Sequence, residues 1–351
     1  MKKVLAVLLV LALVVSFGAC GKKEEPKTDG KELTIGVVIP GGDHGFTGES
    51  VSHCEAEAEA LMAANEGLTI VVKTGMEAND SITEIENMLS NYTLDAFMLW
   101  PNEGEALRSA AQTILDANIP LVVYDRLITD LAGVEAEVMG DNYGIGKMMG
   151  EYLTSYFADD VQVNYIRVIG DASTVGVQRS GGMDEVLDAK KFVQAEETWV
   201  GNWSTADSQA LMEDWLNGKD KEYIESIDLI VTHDDEMVDG IMNALEAYTG
   251  DATINIKLIT SVGGREDTLV KFEQTKYSDL KFFTCYFAPS FIRDALRLTV
   301  EYAQGDTTTH PLDANGQYLI PSFTIGNGGN TDYDFDTYRA SDTYKERYSI
   351  F

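Results

Sequence analysis

Asn118-Ile119-Pro120-Leu121-Val122-Val123-Tyr124-Asp125-Arg126 is the stretch that decides the fold. Before it, residues 106–117 carry apolar side chains at helical spacing, and Asn118 and Pro120 are the kind of residues that end a helix. Leu121 to Tyr124 is continuously apolar and too short for a helix, so it reads as a strand buried on both faces. The run then breaks on two charged residues. Helix, buried strand and polar tip form the repeating unit of a parallel α/β sheet, whose ligands bind beyond the carboxyl ends of the strands.

The unit recurs along the chain. Strands are predicted at 33–39, 68–72, 96–99, 121–124, 134–139, 163–169, 192–198, 229–232, 258–261 and 282–286, with helical spacing between most of them. Ser81-Ile82-Thr83-Glu84 reads as a capping box opening one of these helices. About ten such units exceed one comfortable open sheet. The expectation is therefore α/β with two lobes, each a doubly wound parallel sheet.

The strand tips carry the chemistry. They present Pro40-Gly41-Gly42-Asp43-His44-Gly45-Phe46, then Trp100-Pro101-Asn102, Asp125-Arg126, Gln178-Arg179, Asn202-Trp203, His233-Asp234-Asp235-Glu236 and Cys285-Tyr286-Phe287. Carboxylates accept hydrogen bonds from hydroxyls, arginines donate to them, and flat rings pack on C–H faces, so this set suits a polyhydroxylated molecule. It holds no nucleophile–base pair and no metal-ligand spacing, and neither a cofactor nor a metal is expected.

Composition narrows the partners. Of 351 residues, 58 are acidic and 26 basic, a formal charge of −32, which opposes nucleic acid and anionic lipid as partners. The three cysteines are too few for a disulfide framework. Cys54 and Cys285 read as buried free thiols, with a bridge between them left open.

The N-terminus predicts export. Met1-Lys2-Lys3 precedes an unbroken apolar run over residues 4–15, shorter than the roughly 20 residues a membrane span needs, and Gly18-Ala19-Cys20 follows. Cys20 looks like the lipidated cysteine of a bacterial lipoprotein signal, with Phe17 where the usual pattern has Leu. Residues 1–19 are then a signal peptide and 20–32 a solvated tether, and the membrane is reached only through the lipid.

The segments Thr34-Ile35-Gly36-Val37-Val38-Ile39-Pro40, 118–126, Gly140-Asp141-Asn142, Gln178-Arg179-Ser180-Gly181-Gly182 and His233-Asp234-Asp235-Glu236-Met237 together resemble the ribose- and galactose-binding class of periplasmic-type sugar-binding proteins that feed ABC importers. The resemblance covers nearly all of residues 33–326. It implies a type I periplasmic binding fold with a three-crossing hinge. Residues 33–139 plus 287–308 would form the N-terminal lobe and 140–286 plus 309–330 the C-terminal lobe. Beyond the resemblance, the Tyr-rich residues 331–351, with Asp and Arg interspersed, read as a partly ordered tail on the surface.

The resemblance also implies roles. Asp43 and His44 belong to a first loop similar to that of a sugar- or polyol-binding subgroup, and Phe46 is its aromatic wall. Asp125 and Arg126 bind hydroxyls from one lobe and Arg179 from the other. Trp203 is the opposing aromatic plate, Asp234 accepts from a hydroxyl, and Tyr286 stands at the last strand crossing. Asp141-Asn142 is assigned to a lobe crossing. Ser261-Val262-Gly263-Gly264-Arg265 lacks a carboxylate that ribose binders carry there, and Asp313-Ala314-Asn315-Gly316 reads as a turn and not a metal loop.

The implied protein is no enzyme. It is a monomeric extracytoplasmic lipoprotein on a bacterial cell membrane that captures a pentose, hexose or polyol and delivers it to importer permease subunits. The alternative is a sugar-sensing component for chemotaxis or a two-component kinase. A glycosidase would need two carboxylates flanking one bond, a pair that Asp125 and Asp234 could only mimic.

Overall fold

In the computed structural model, which describes residues 32–42, 45–102, 104–306 and 310–350, the apolar runs become two sheets. The first joins β1 (Leu33–Pro40), β2 (Leu68–Gly75), β3 (Ala96–Leu99), β4 (Leu121–Tyr124), β5 (Ala136–Gly140) and β12 (Gln317–Ile320) in the order β12-β5-β4-β3-β1-β2, all parallel. The second joins β6 (Val163–Ile169), β7 (Phe192–Gln194), β9 (Leu229–Thr232), β10 (Leu258–Gly263), β11 (Lys281–Tyr286) and β13 (Thr324–Gly326) in the order β13-β11-β10-β9-β6-β7. Only β13 runs antiparallel, and β8 (Trp199–Val200) also pairs with β6.

The central strands β3, β4 and β9 are buried at every residue, as their uninterrupted apolar sequence requires when helices cover both faces. On the first lobe the cover includes α1 (Gly45–Ala64), α2 (Ala78–Asn91), α3 (Arg108–Asp116) and α10 (Ile292–Gln304). On the second it includes α4 (Asn142–Tyr156), α5 (Thr174–Val186), α6 (Thr205–Gly218), α7 (Lys221–Glu225), α8 (Asp235–Ala247) and α9 (Glu266–Gln274). This is the two-lobed α/β architecture expected. No helix among the described residues is long and apolar enough to cross a membrane.

The chain crosses between the sheets after β5, after β11 and between β12 and β13. The crossings are tied to one another. The Asp141 N–H donates to the Ile320 carbonyl at 3.2 Å and the Tyr286 N–H to the Phe323 carbonyl at 2.8 Å. The carboxyl ends of β1, β3 and β4 thereby face those of β6, β9 and β10.

Four expectations are corrected. Residues 309–330 do not all belong to the second lobe: Gln317 to Ile320 extend the first sheet beside β5, and only Thr324 to Gly326 join the second. Gln-Tyr-Leu-Ile is a half-exposed edge strand without the continuous apolar run that marks the others. The helix expected to open at Ser81 opens at Ala78, where the Glu77 N–H donates to the Asp80 carboxylate at 3.3 Å and Ser81 is buried one turn inside. The strand expected over 192–198 stops at Gln194, whose side chain turns the chain by donating to Glu196 and Thr198, and pairing resumes only at Trp199–Val200. Residues 331–350 are not a partly ordered surface tail: α11 (Phe335–Ala340) and α12 (Asp342–Arg347) pack down with Tyr338 fully buried and Arg347 2% exposed. The segment 313–316 is a turn, in which the Asp313 carboxylate accepts from the Asn315 and Gln317 N–H groups.

Candidate functional site

Between the strand tips lies a cavity enclosing about 640 Å³ of empty space, its open mouth included. Its walls come from both lobes.

From the first lobe, β4 ends at Tyr124 and the chain turns at Asp125 with φ +63°, its N–H donating to the Val138 carbonyl at 2.8 Å. The left-handed turn is tolerable for Asp, whose short polar side chain reduces the penalty. It brings the Asp125 and Arg126 side chains into one crevice although they are sequence neighbours. Asp125 is 6% exposed, and burial raises its carboxyl above the ordinary range against the pull of Arg126 and Arg179. Trp100 closes the tip of β3, edge-on to Phe46 at 6.0 Å and to Tyr124 at 5.1 Å. Phe46, in the first turn of α1, also lies 5.5 Å from Phe287.

From the second lobe, Arg179 on α5 is held by the Asn142 side-chain oxygen at 2.9 Å and the His233 carbonyl at 2.5 Å. Its guanidinium stands 4.7 Å from the Phe287 ring centroid and 5.9 Å from that of Trp203. Burial lowers it to about 10 while Asp125 and Asp234 oppose the fall, so it stays a cation at neutral pH. His233 is neutral, pushed well below its usual value by burial and then by Arg179 and Arg167. Trp203 adopts φ +56°, an uncommon conformation for a large side chain. Its indole lies so close over Gly170 that a Cβ there would come within 2.0 Å of the ring, which is why the strand end must be glycine.

Contacts across the cleft show a closed arrangement. The Arg126 guanidinium pairs with Asp171 at 3.0 Å, and the Phe46 N–H donates to Glu236 Oε1 at 3.0 Å. The Leu127 N–H donates to Thr174 Oγ1 at 3.3 Å. Glu236 in turn lies 3.1 Å from Arg265.

Of the residues singled out in the sequence, Phe46, Asp125, Arg126, Arg179, Trp203 and Asp234 line this one cavity. Asp234 also caps α8, its carboxylate accepting from the Glu236 N–H at 2.7 Å and the Met237 N–H at 3.3 Å. Asp43, His44 and Cys20 lie outside the described residues. Tyr286 is not part of the wall. Its ring stacks on Phe323 at 4.6 Å beside the hinge, and Phe287 lines the cavity instead. The chain leaves the sheet there, so the alternation that would have aimed Tyr286 inward no longer applies. Asn142 does more than mark a crossing, since it positions Arg179.

Sequence reasoning missed Glu49, Glu236, Arg265 and Arg347. Glu236 and Arg265 stood within quoted segments, but only the fold brings them beside Phe46. The resulting wall alternates carboxylates, guanidiniums and rings, an arrangement that can both accept from and donate to hydroxyls while covering C–H faces. Among the described residues no cluster of three or more His, Cys, Asp or Glu is placed to hold a metal ion.

Comparison with known proteins gives a consistent result. Residues 35–307 match the periplasmic binding protein domain family. The chain is 23% identical over 285 residues to the ribose import binding protein RbsB of Bacillus subtilis (strain 168), covering 79% of this chain and 87% of that protein. Among solved structures, a galactofuranose binding protein superposes with TM-score 0.72 at 19% identity, over 91% of this chain and 100% of the other. The fructose binding periplasmic domain of a hybrid two component system superposes with TM-score 0.69 at 16% identity, over 91% and 98%.

Proposed function

This chain belongs to the periplasmic binding protein domain family, and from that premise we propose that it captures a neutral monosaccharide or polyol between its lobes and delivers it to an ABC importer. The family is one of extracytoplasmic sugar-binding proteins without enzymatic activity. The observation that carries the finer reading is the composition of one cavity. Asp125, Arg126 and Phe46 from one lobe face Arg179, Trp203 and Asp234 from the other. Its acids and arginines nearly balance, which favours an uncharged guest.

Periplasmic binding proteins are a standing example of hinge closure around a ligand. A sugar touching both walls stabilises only the closed form and shifts the population toward it. The permease would then read the closed shape. In this reading the protein acts as a monomer, held at the membrane by acyl chains on Cys20. The absent carboxylate at Gly263-Gly264 disfavours ribose itself and leaves other pentoses, hexoses and polyols.

A thermal-shift screen of D-ribose, D-galactose, D-glucose, D-fructose, L-arabinose and myo-inositol tests the proposal. A cognate ligand at about 100 times its Kd stabilises the folded state by about 2.7 kcal/mol, a rise of several degrees. The expected Kd is on the order of micromolar, about −8 kcal/mol. If no pentose, hexose or polyol, cyclic or linear, at millimolar concentration moves the transition, the reading fails. The sensory alternative draws on the likeness to the fructose-binding sensor domain. Sugar-dependent binding to purified permease supports import, and sugar-dependent binding to a kinase or chemoreceptor ectodomain supports sensing.

A further inference from the structure

The C-terminal residues 341–349 lie across the two lobes beside the hinge. On the second lobe, the Glu266 N–H donates to the Tyr348 hydroxyl at 2.9 Å, and Arg347 Nη1 donates to the Gly263 carbonyl at 3.3 Å. At the crossing itself, Nη1 also donates to the Phe287 carbonyl at 3.0 Å. On the first lobe, His53 Nε2 hydrogen-bonds the Arg347 carbonyl at 2.9 Å, and Arg293 donates to Ser349 Oγ at 3.1 Å.

The Arg347 guanidinium lines the cavity next to Glu49. Arg347 Nη2 and Glu49 Oε2 stand 3.7 Å apart, beyond hydrogen-bond length, and both side chains face the same wall. Glu49 Oε2 is buried and makes no hydrogen bond. A ligand hydroxyl admitted between them would donate to the carboxylate and accept from the guanidinium. Arg347 also abuts Gly263, the region that lacks the carboxylate of ribose binders.

We propose that residues 341–349 strap the lobes together at the hinge and supply Arg347 to the cavity, where it and Glu49 bind one ligand hydroxyl between them. The hydroxyl part rests on the sugar-binding reading. The strap does not.

The test uses Arg347→Ala, Arg347→Lys and Glu49→Gln in the full chain, with D-ribose, D-galactose, D-glucose, D-fructose, L-arabinose and myo-inositol as probes. With whichever probe binds the wild type, Arg347→Ala raises Kd at least tenfold and Arg347→Lys recovers at least a third of that loss on a logarithmic scale. Glu49→Gln raises Kd at least threefold. Should Arg347→Ala not fold, the other two variants carry the comparison. Wild-type Kd within twofold in the folded variants overturns the hydroxyl contact, and the strap is then judged by the hydrogen exchange that follows.

If none of the probes binds the wild type, the sugar reading fails and the strap is judged without ligand. Hydrogen exchange is then followed in peptides carrying the Phe46 and Leu127 amides, which donate across the cleft. Faster exchange there in Arg347→Ala, or in Arg347→Lys if the alanine variant does not fold, supports the strap. Unchanged exchange overturns it.

Discussion

Replacing Asp125 by alanine is expected to weaken sugar binding about a hundredfold while leaving the fold nearly as stable as before. Hydrogen bonds to charged groups contribute about 1.5–3 kcal/mol each, and a carboxylate at the cavity wall can accept more than one. The stability side follows from burial. Because the folded protein raises the Asp125 carboxyl, keeping it ionised at neutral pH costs stability, and that cost disappears only as the pH falls and the group protonates. Alanine removes the cost but adds about 1 kcal/mol of backbone strain at φ +63°. Asp125→Asn keeps a residue suited to that conformation, so it should melt at or above the wild-type temperature and still bind about tenfold more weakly. In the wild type, affinity should decline on acidification from a higher pH than an exposed aspartate would require. Calorimetric titration and melting curves on the same samples check both halves. Unaltered affinity in Asp125→Ala would remove this residue from the site.

Asp235→Ala carries the largest expected loss of stability. Asp235 is fully buried, and its carboxylate accepts from Ser261 Oγ at 2.6 Å and Thr284 Oγ1 at 3.2 Å. It also accepts from the Gly264 N–H at 2.7 Å and the Arg265 N–H at 2.8 Å. One side chain thus fastens the first turn of α8 to the ends of β10 and β11. Removing it leaves two backbone donors without an acceptor, each costing about 1–3 kcal/mol. With the loss of a negative charge at a helix N-terminus, the total is about 4 kcal/mol. The melting temperature should fall by roughly 5–10 °C. Asparagine is no rescue, because its NH₂ group would face donors. A shift under 2 °C by calorimetry would show that the network contributes little.

The two residues share a sequence character, an aspartate just past a buried strand, yet differ in what they do. That difference marks how far sequence carries. Buried strands such as Leu121 to Tyr124 announce themselves because continuous apolarity has few other uses in a soluble chain, and the strand tips then nominate Phe46, Asp125, Arg126, Arg179, Trp203 and Asp234. All three of Asp234, Asp235 and Glu236 reach the cavity wall, but the sequence does not say that Asp234 also caps α8 or that Asp235 also holds the β10 loop, since that depends on where α8 begins. Tyr286 and Phe287 are distinguished only by where the chain leaves the sheet. Arg347 had no local signal at all. A short polar segment rich in tyrosine looks like surface until its burial against Gly263 and Phe287 is seen.

Each lobe also encloses one thiol, Cys54 on α1 and Cys285 on β11, both wholly shielded and unbridged. Burial pushes the Cys54 thiol up to about 12 and Cys285 higher still, so neither forms the thiolate that alkylating or oxidising reagents attack. In an oxidising compartment this arrangement protects the native chain from mispairing with other thiols. It also makes the two sulfurs natural chemical sentinels, because whichever half loosens first is the one whose sulfur becomes available for modification.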